Sequence, residues 1–124
     1  MSGNRKRLGA LGERITAEFL AGRGYTIRET NFRCPLGEID IVAEHGDYLV
    51  FVEVRTRSNL QFGTPEESVT PAKREKLVSL AHTYLETHGD LPLSWRIDMV
   101  AVELGPDNRV LRVELIENAI TGFT

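Results

Sequence analysis

The spacing of apolar residues predicts one α/β unit with the element order helix, three strands, helix, two strands. Apolar residues recur every three or four positions in residues 4–23, which predicts a helix with one buried face. A second helix is predicted over residues 70–89, because Thr70 can cap it and Pro71 suits its first turn. No repeat or linker divides the chain, so residues 1–124 are predicted to form a single domain.

Five runs rich in Val, Ile, Phe and Tyr predict five strands. They are Tyr25–Arg33, Gly37–His45, Tyr48–Arg55, Trp95–Leu104 and Val110–Glu117. Residues 34–37 are expected to form a connection, and Gly46-Asp47 suits a two-residue hairpin turn. Residues 56–70 show no periodicity, so a long binding loop is predicted there, with disorder as the alternative.

The hairpin turn at residues 46–47 fixes the register of the two strands beside it. Asp40 is then opposite Glu53, and Glu38 is opposite Arg55, with all four side chains on one face of the sheet. The other face is expected to be plain core. It would hold Ile39, Ile41, Ala43, Val50, Val52 and Val54.

Two opposed carboxylates are unusual in a structural hairpin. Asp40 and Glu53 would have β-carbons ~5 Å apart and would repel each other by about 3 kcal/mol at an effective dielectric near 20. A hard divalent cation such as Mg²⁺ would make the arrangement favourable, because such ions prefer oxygen ligands. The alternatives are that both groups face solvent or that one of them is protonated.

The same residues carry a family resemblance. Gly37-Glu38-Ile39-Asp40, followed after twelve residues by Glu53-Val54-Arg55, resembles the PD-(D/E)XK nuclease signature. Nearly the whole chain resembles the YraN family of small proteins, which is similar to Holliday-junction resolvases. The resemblance implies a restriction-endonuclease-like fold, in which a mixed sheet has a helix on each side. The further matching segments are Leu11-Gly12-Glu13, Gly24-Tyr25, Asn31-Phe32-Arg33, the run from Phe51 to Arg57, and Arg96-Ile97-Asp98.

The resemblance also implies roles for individual residues. Asp40 and Glu53 would hold Mg²⁺ or Mn²⁺, the backbone carbonyl of Val54 would be a third ligand, and Glu13 would approach from the first helix. The implied reaction is hydrolysis of phosphodiester bonds in branched or structured DNA, with RNA as an alternative substrate. Cutting both strands of a junction would require two sites and therefore a homodimer.

Arg55 is the departure from the signature, which usually has lysine at this position. Arginine stays protonated at neutral pH, so Arg55 can clamp a phosphate but cannot act as a general base. Lys73 is on the predicted sheet-facing stripe of the second helix and could approach the site, although it could also extend along the surface into solvent. The candidate phosphate contacts are Arg5, Lys6, Arg7, Arg33, Arg55, Arg57 and Lys73, with the loop around Phe62 as a cover.

Composition and charge restrict these readings only slightly. The net charge is −3, but residues 1–33 hold seven basic against three acidic side chains, which permits phosphate contact. Cys34 is the single cysteine and has no zinc-ligand spacing with the histidines. No apolar run is long enough for a membrane span or a signal peptide, so a cytoplasmic protein is expected.

Two other function classes stay open on the sequence. Arg55 in place of lysine favours a nucleic-acid-binding module that kept the fold without catalysis. A protein-interaction domain could use Trp95, Phe62 and the apolar end of the chain at residues 119–123. Asp98, within an apolar strand, is either a support for the site or a structural carboxylate.

Overall fold

The computed structural model describes residues 2–59, 63–92 and 94–119, with side chains from residue 6 onward. The elements follow the predicted order, so the α/β class is confirmed. The helices are α1 (Ser2–Gly22) and α2 (Pro71–Thr87), and the strands are β1 (Thr26–Cys34), β2 (Gly37–His45), β3 (Tyr48–Arg57), β4 (Ser94–Leu104) and β5 (Val110–Ile116). Neither helix has a stretch that is both long and apolar enough to cross a bilayer within these ranges.

The strands form one mixed sheet in the order β1-β2-β3-β4-β5. β3 and β4 are parallel, and the other three neighbouring pairs are antiparallel. A parallel pair needs a long crossover, and here α2 supplies it, preceded by a short 3₁₀ turn at Glu66–Ser68. β3, which carries the second half of the nuclease-like signature, lies in the centre of the sheet.

One helix packs on each face of the sheet. Phe51 belongs to an apolar cluster with Tyr84 of α2, whereas Val50 and Val52 belong to a second cluster with Leu20 of α1. Successive residues of a strand point to opposite faces, so the two clusters lie on opposite sides of β3. The Leu20 and Tyr84 side chains are almost completely buried, which fixes both helices against the sheet.

The alternation of faces breaks in β2 at Asp40. Ile39 packs in the α2 cluster, while Ile41 packs in the α1 cluster, so the prediction that both share one face is wrong. The neighbouring strand β1 is also irregular here, because Asn31 has a φ of 54°. A residue with positive φ interrupts the regular pleat, and this allows Asp40 to depart from strict alternation.

The β1–β2 hairpin is tighter than predicted. Cys34 pairs with Gly37, so the connection is reduced to the two residues Pro35 and Leu36. In this register Glu38 pairs with Arg33, whereas the pairing of β2 with β3 ends at Ile41–Val52, so the predicted opposition of Glu38 and Arg55 is wrong. β2 follows β1 in this region instead of continuing alongside β3.

Candidate metal and phosphate site

Asp40 lies where β2 and β3 separate. The pairs from His45–Tyr48 to Ile41–Val52 have the register that the two-residue turn predicts. Beyond the last pair, the Asp40 carboxylate accepts a hydrogen bond from the backbone N–H of Val54 at 2.8 Å. The Asp40 carboxylate thus takes the place of a main-chain carbonyl as the acceptor for Val54. This hydrogen bond holds the carboxylate between the two strands.

Asp40 and Glu53 are brought together as predicted. Burial, the negative charge of Glu53 and a hydrogen bond between the two carboxyl groups raise the pKa of Asp40 to about 7, against a usual value of 3.8. The N–H of Val54 acts in the opposite direction, because it stabilises the charged form. Asp40 is therefore partly protonated at neutral pH, which was one of the alternatives for an opposed acidic pair.

Glu13 reaches the same place from α1. The helix approaches β3 closely at Gly12, where an added Cβ would lie 1.9 Å from the Thr56 hydroxyl oxygen. Only glycine allows this approach, and it brings the next residue, Glu13, beside the strands. Burial and the charges of Asp40 and Glu38 raise the pKa of Glu13 to about 7.

Glu38 and Asn31 complete the cluster, and the sequence analysis missed both as site residues. With its amide nitrogen turned toward the acids, Asn31 donates to Glu13 and to Glu38 at 2.9 Å each. Asn31 lies in β1 at the position with positive φ, so the irregularity of that strand directs its amide into the site. The amide thus ties together two acids from different elements.

The carboxylates of Glu13, Glu38 and Asp40 have oxygen atoms within 4.8 Å of one another. This donor set suits a hard divalent cation, which takes carboxylate and water oxygens. The raised pKa values of Glu13 and Asp40 fit such an ion, since they reflect burial first and like-charge repulsion second, and a cation would offset both. Among the described residues, this group differs from the predicted ligands, because it contains Glu38 rather than Glu53.

Glu53 instead lies beside two cations on the α2 side of the sheet. Its Oε2 is 2.9 Å from Nη2 of Arg55 and 3.7 Å from Nζ of Lys73. Only 5% of the Glu53 side chain is exposed, so these contacts compensate a nearly buried charge. Lys73 is in the first turn of α2, where its backbone N–H donates to the Thr70 cap, and of its two predicted positions the side chain takes the one near Glu53.

Arg55 has one donor left over. Its Nε is buried and has no hydrogen-bond partner among the described residues. A buried donor without a partner costs free energy, and the 29% of the Arg55 side chain that is exposed is the part open to an anion. Arg55 and Arg57 both line a cleft of about 470 Å³ that also reaches Glu13, Leu8 of α1 and Ser68 of the 3₁₀ turn.

The remaining predicted contacts are more peripheral. Arg33 is 78% exposed and forms an ion pair with Glu38 at 2.9 Å, which places its guanidinium at the outer edge of the acidic cluster. Lys6 and Arg7 are exposed on the first turns of α1. The side chain of Arg5 and the whole of Phe62 lie outside the described residues.

Asp98 is a structural carboxylate. It is fully buried and is bound by the Tyr25 hydroxyl at 3.1 Å, by Nε of Arg96 at 3.0 Å and by the backbone N–H of Asn118 at 2.8 Å. Its register partner is Val52, so its side chain lies on the α1 side of the sheet, away from Glu53. Of the two readings of Asp98, the structure supports the structural one.

The register of the β1–β2 hairpin is the sequence signal that points to Asn31 and Glu38. A two-residue turn at Pro35-Leu36 aligns Arg33 with Glu38, and the same register sets Asn31 opposite Asp40. The proline in the connection is a turn signal, but the predicted four-residue connection hid this register. With the two-residue turn, the sequence predicts the Asn31 amide beside the Asp40 carboxylate.

Comparison with known proteins identifies the family. Residues 12–102 match the family described as Uncharacterised protein family UPF0102. A UPF0102 protein of Moorella thermoacetica is 52% identical over 119 residues, covering 96% of this chain and 99% of the relative. A UPF0102 protein of Dehalococcoides mccartyi is 48% identical over 120 residues, covering 97% of this chain and 98% of the relative. The resemblance to the YraN family is confirmed, and the chain belongs to the UPF0102 family, also called YraN.

Proposed function

We propose that this protein binds branched or structured DNA and hydrolyses its phosphodiester bonds with the help of Mg²⁺ or Mn²⁺. The observation that carries the proposal is the convergence of Glu13, Glu38 and Asp40 within 4.8 Å of one another, beside a cleft lined by Arg55 and Arg57. Carboxylates that could hold an ion and guanidinium groups that could hold a phosphate thus occupy adjoining positions. The central parallel strand pair and the helix on each face also support the restriction-endonuclease-like reading of the fold.

The acidic cluster is the part of the site that would hold the ion. Glu13, Glu38 and Asp40 offer carboxylate oxygens, and the proposed contribution of Glu53 and of the Val54 carbonyl stays a prediction. When bound, a divalent ion lowers the pKa of water and neutralises charge on phosphoryl oxygens. Because Glu13 and Asp40 have raised pKa values, the empty cluster would keep protons at neutral pH that an ion would displace.

The cationic side of the site would position the phosphate. Hydrolysis forms a bond between a water oxygen and phosphorus, breaks the bond between phosphorus and the leaving sugar oxygen, and delivers a proton to that oxygen. Arg55 already neutralises Glu53 through Nη2, and the exposed part of its side chain would bind a non-bridging phosphate oxygen. Arg57 has no ion pair among the described residues and would bind a neighbouring phosphate of the same strand.

A binding module without catalysis is the second candidate, and one observation favours it. Arg55 and Lys73 already neutralise Glu53, so this carboxylate does not require an ion for charge balance. Such a module would use the same cationic side chains on the phosphate backbone. It would bind DNA equally well in the presence of a chelator.

Cleavage assays separate the two candidates. Purified protein is incubated with four-way, flapped, single-stranded and duplex DNA of one sequence, each with Mn²⁺ or with EDTA. RNA versions of the same forms test the alternative substrate. Asp40→Asn removes one carboxylate of the cluster, and Asp47→Asn is the matched control, because Asp47 is exposed in the turn at the opposite end of the hairpin.

Catalysis predicts products with Mn²⁺ from the wild type and from Asp47→Asn, and none from Asp40→Asn or with EDTA. Equal binding under all conditions without products would support the binding module and refute the nuclease. Absence of both binding and cleavage on every form would refute both candidates. Two symmetric incisions on a four-way junction, together with a dimer in analytical sedimentation, would support the homodimer.

A further inference from the structure

The tip of the β1–β2 hairpin carries an exposed leucine close to the candidate site. Pro35 and Leu36 are the only residues between the paired positions Cys34 and Gly37, and Leu36 is 50% exposed. Leu36 is two residues before Glu38 of the acidic cluster, about 7 Å along an extended chain. A large apolar side chain thus projects beside carboxylates that we propose to hold an ion.

The base of this hairpin is held rigidly. Phe32 and Cys34 pack against the apolar cluster under α2, and the Phe32 ring meets Tyr84 edge to face with centroids 5.0 Å apart. Gly37 has a φ of 145°, a backbone conformation that favours glycine and closes the turn. The strand residues next to Leu36 are therefore anchored on the core, and they hold the hairpin tip in place.

Two basic side chains flank the tip, and one of them, Arg33, also pairs with Glu38. Arg33 is highly exposed on β1, and the end of the Lys76 side chain lies over Gly37, where an added Cβ would be 3.2 Å from Nζ. Lys76 has no carboxylate within ion-pair distance in the described part of the chain. An apolar point between two cations fits a nucleic acid, whose bases are apolar on their faces and whose phosphates are anionic.

Resting on the proposed function, we infer that Leu36 is a wedge that inserts at a break in base stacking, such as the branch point of junction or flap DNA. Proteins that bend DNA use leucine and proline in this way, and unstacking a base step costs a few kcal/mol in an intact duplex. The cost is smaller where stacking is already interrupted, so the wedge would favour branched substrates.

The test compares two leucines of similar exposure at opposite edges of the sheet. Leu36→Ser removes the wedge, and Leu111→Ser is the matched control on β5, where Leu111 is 56% exposed. Leu36→Phe keeps a large apolar group at the tip. Binding to a flap and to a duplex of the same sequence is measured by fluorescence anisotropy in EDTA, with 2-aminopurine at the branch to report unstacking.

Leu36→Ser is expected to lose about tenfold in affinity for the flap, the factor that corresponds to burial of most of one leucine side chain. Its affinity for the duplex and its melting temperature should stay at wild-type values, and the rise in 2-aminopurine fluorescence should vanish. Leu36→Phe and Leu111→Ser should behave as the wild type.

Wild-type preference for the flap in Leu36→Ser, with an unchanged fluorescence rise, would overturn the wedge and leave the proposed function intact. A wild-type protein that binds neither form would overturn both. Equal loss of affinity in Leu36→Ser and Leu111→Ser would also overturn the wedge, because the effect would not be specific to the tip.

Discussion

The backbone N–H of Val54 donates to the Asp40 carboxylate at 2.8 Å, just beyond the last main-chain pair of β2 and β3. The carboxylate thereby does the work of a missing backbone acceptor. Glu53 precedes Val54 in the chain, so the same hydrogen bond holds the two acids close together. The backbone therefore fixes the acidic pair in place before any ligand is bound.

Replacing Asp40 with Asn should stabilise the ion-free protein at high pH. Because the folded state raises the pKa of Asp40 from 3.8 to about 7, the folded state binds more protons than the unfolded state between these values. The unfolding free energy of the wild type thus falls as pH rises from about 4 to 7. Asp40→Asn removes this loss and should gain about 2 kcal/mol at pH 8.5, as expected for relief of charge repulsion.

Urea unfolding of the wild type and Asp40→Asn at pH 5 and pH 8.5 measures this effect. The gain should be clearly smaller at pH 5, because the loss of stability in the wild type begins near pH 4 and is complete only above pH 7. Asp47→Asn should show no gain at either pH, because Asp47 is exposed at the other end of the hairpin. A destabilised Asp40→Asn at pH 8.5 would show that burial of the charged carboxylate and its repulsion by Glu53 do not destabilise the folded state.

Binding of Mn²⁺ should release protons near neutral pH. Glu13 and Asp40 both have a pKa of about 7, so the empty cluster is partly protonated there and an ion must displace these protons. Titration calorimetry in two buffers of different ionisation enthalpy gives the number released. About one proton is expected at pH 7 and almost none at pH 9, and Mn²⁺ binding with no buffer dependence at pH 7 would contradict the assignment.

Gly12→Ala should destabilise the protein by about 2 kcal/mol, as for other overpacked contacts. The new methyl group would collide with the Thr56 side chain, whose hydroxyl oxygen would be 1.9 Å away. Gly9→Ala is the control on the same helix, since a Cβ there meets nothing within 4 Å, and it should be neutral or slightly stabilising. Thermal melts report both, and Thr56→Ala should recover part of the loss in Gly12→Ala.

The elements and the central hairpin could be predicted from the sequence because each rests on local signals. Periodic apolar residues mark the helices, and the Gly46-Asp47 turn fixes the register that the structure shows from His45 to Ile41. The break in alternation at Asp40 could not be predicted in this way. It depends on the left-handed backbone of Asn31 in a neighbouring strand, which is a tertiary effect.

Only the part of the site that lies within the β2–β3 hairpin could be predicted, because only that part depends on local signals. Asp40, Glu53 and Arg55 follow from one hairpin and its signature, and the structure brings them together. Glu38 was assigned to Arg55 because regular pairing was extended too far along β2. It joins the acids instead because β2 leaves β3 and follows β1, and an unbroken register in one hairpin does not reveal this departure.

Arg55→Met should destabilise the protein by about 2 kcal/mol, because it removes the closest partner of the nearly buried Glu53 carboxylate. The double variant Arg55→Met/Glu53→Gln should recover most of this loss, since Gln leaves no buried charge without its partner. Urea unfolding of the wild type, both single variants and the double variant gives the coupling free energy. Additive effects would show that the 2.9 Å ion pair contributes no coupling, and that Arg55 is held by other contacts.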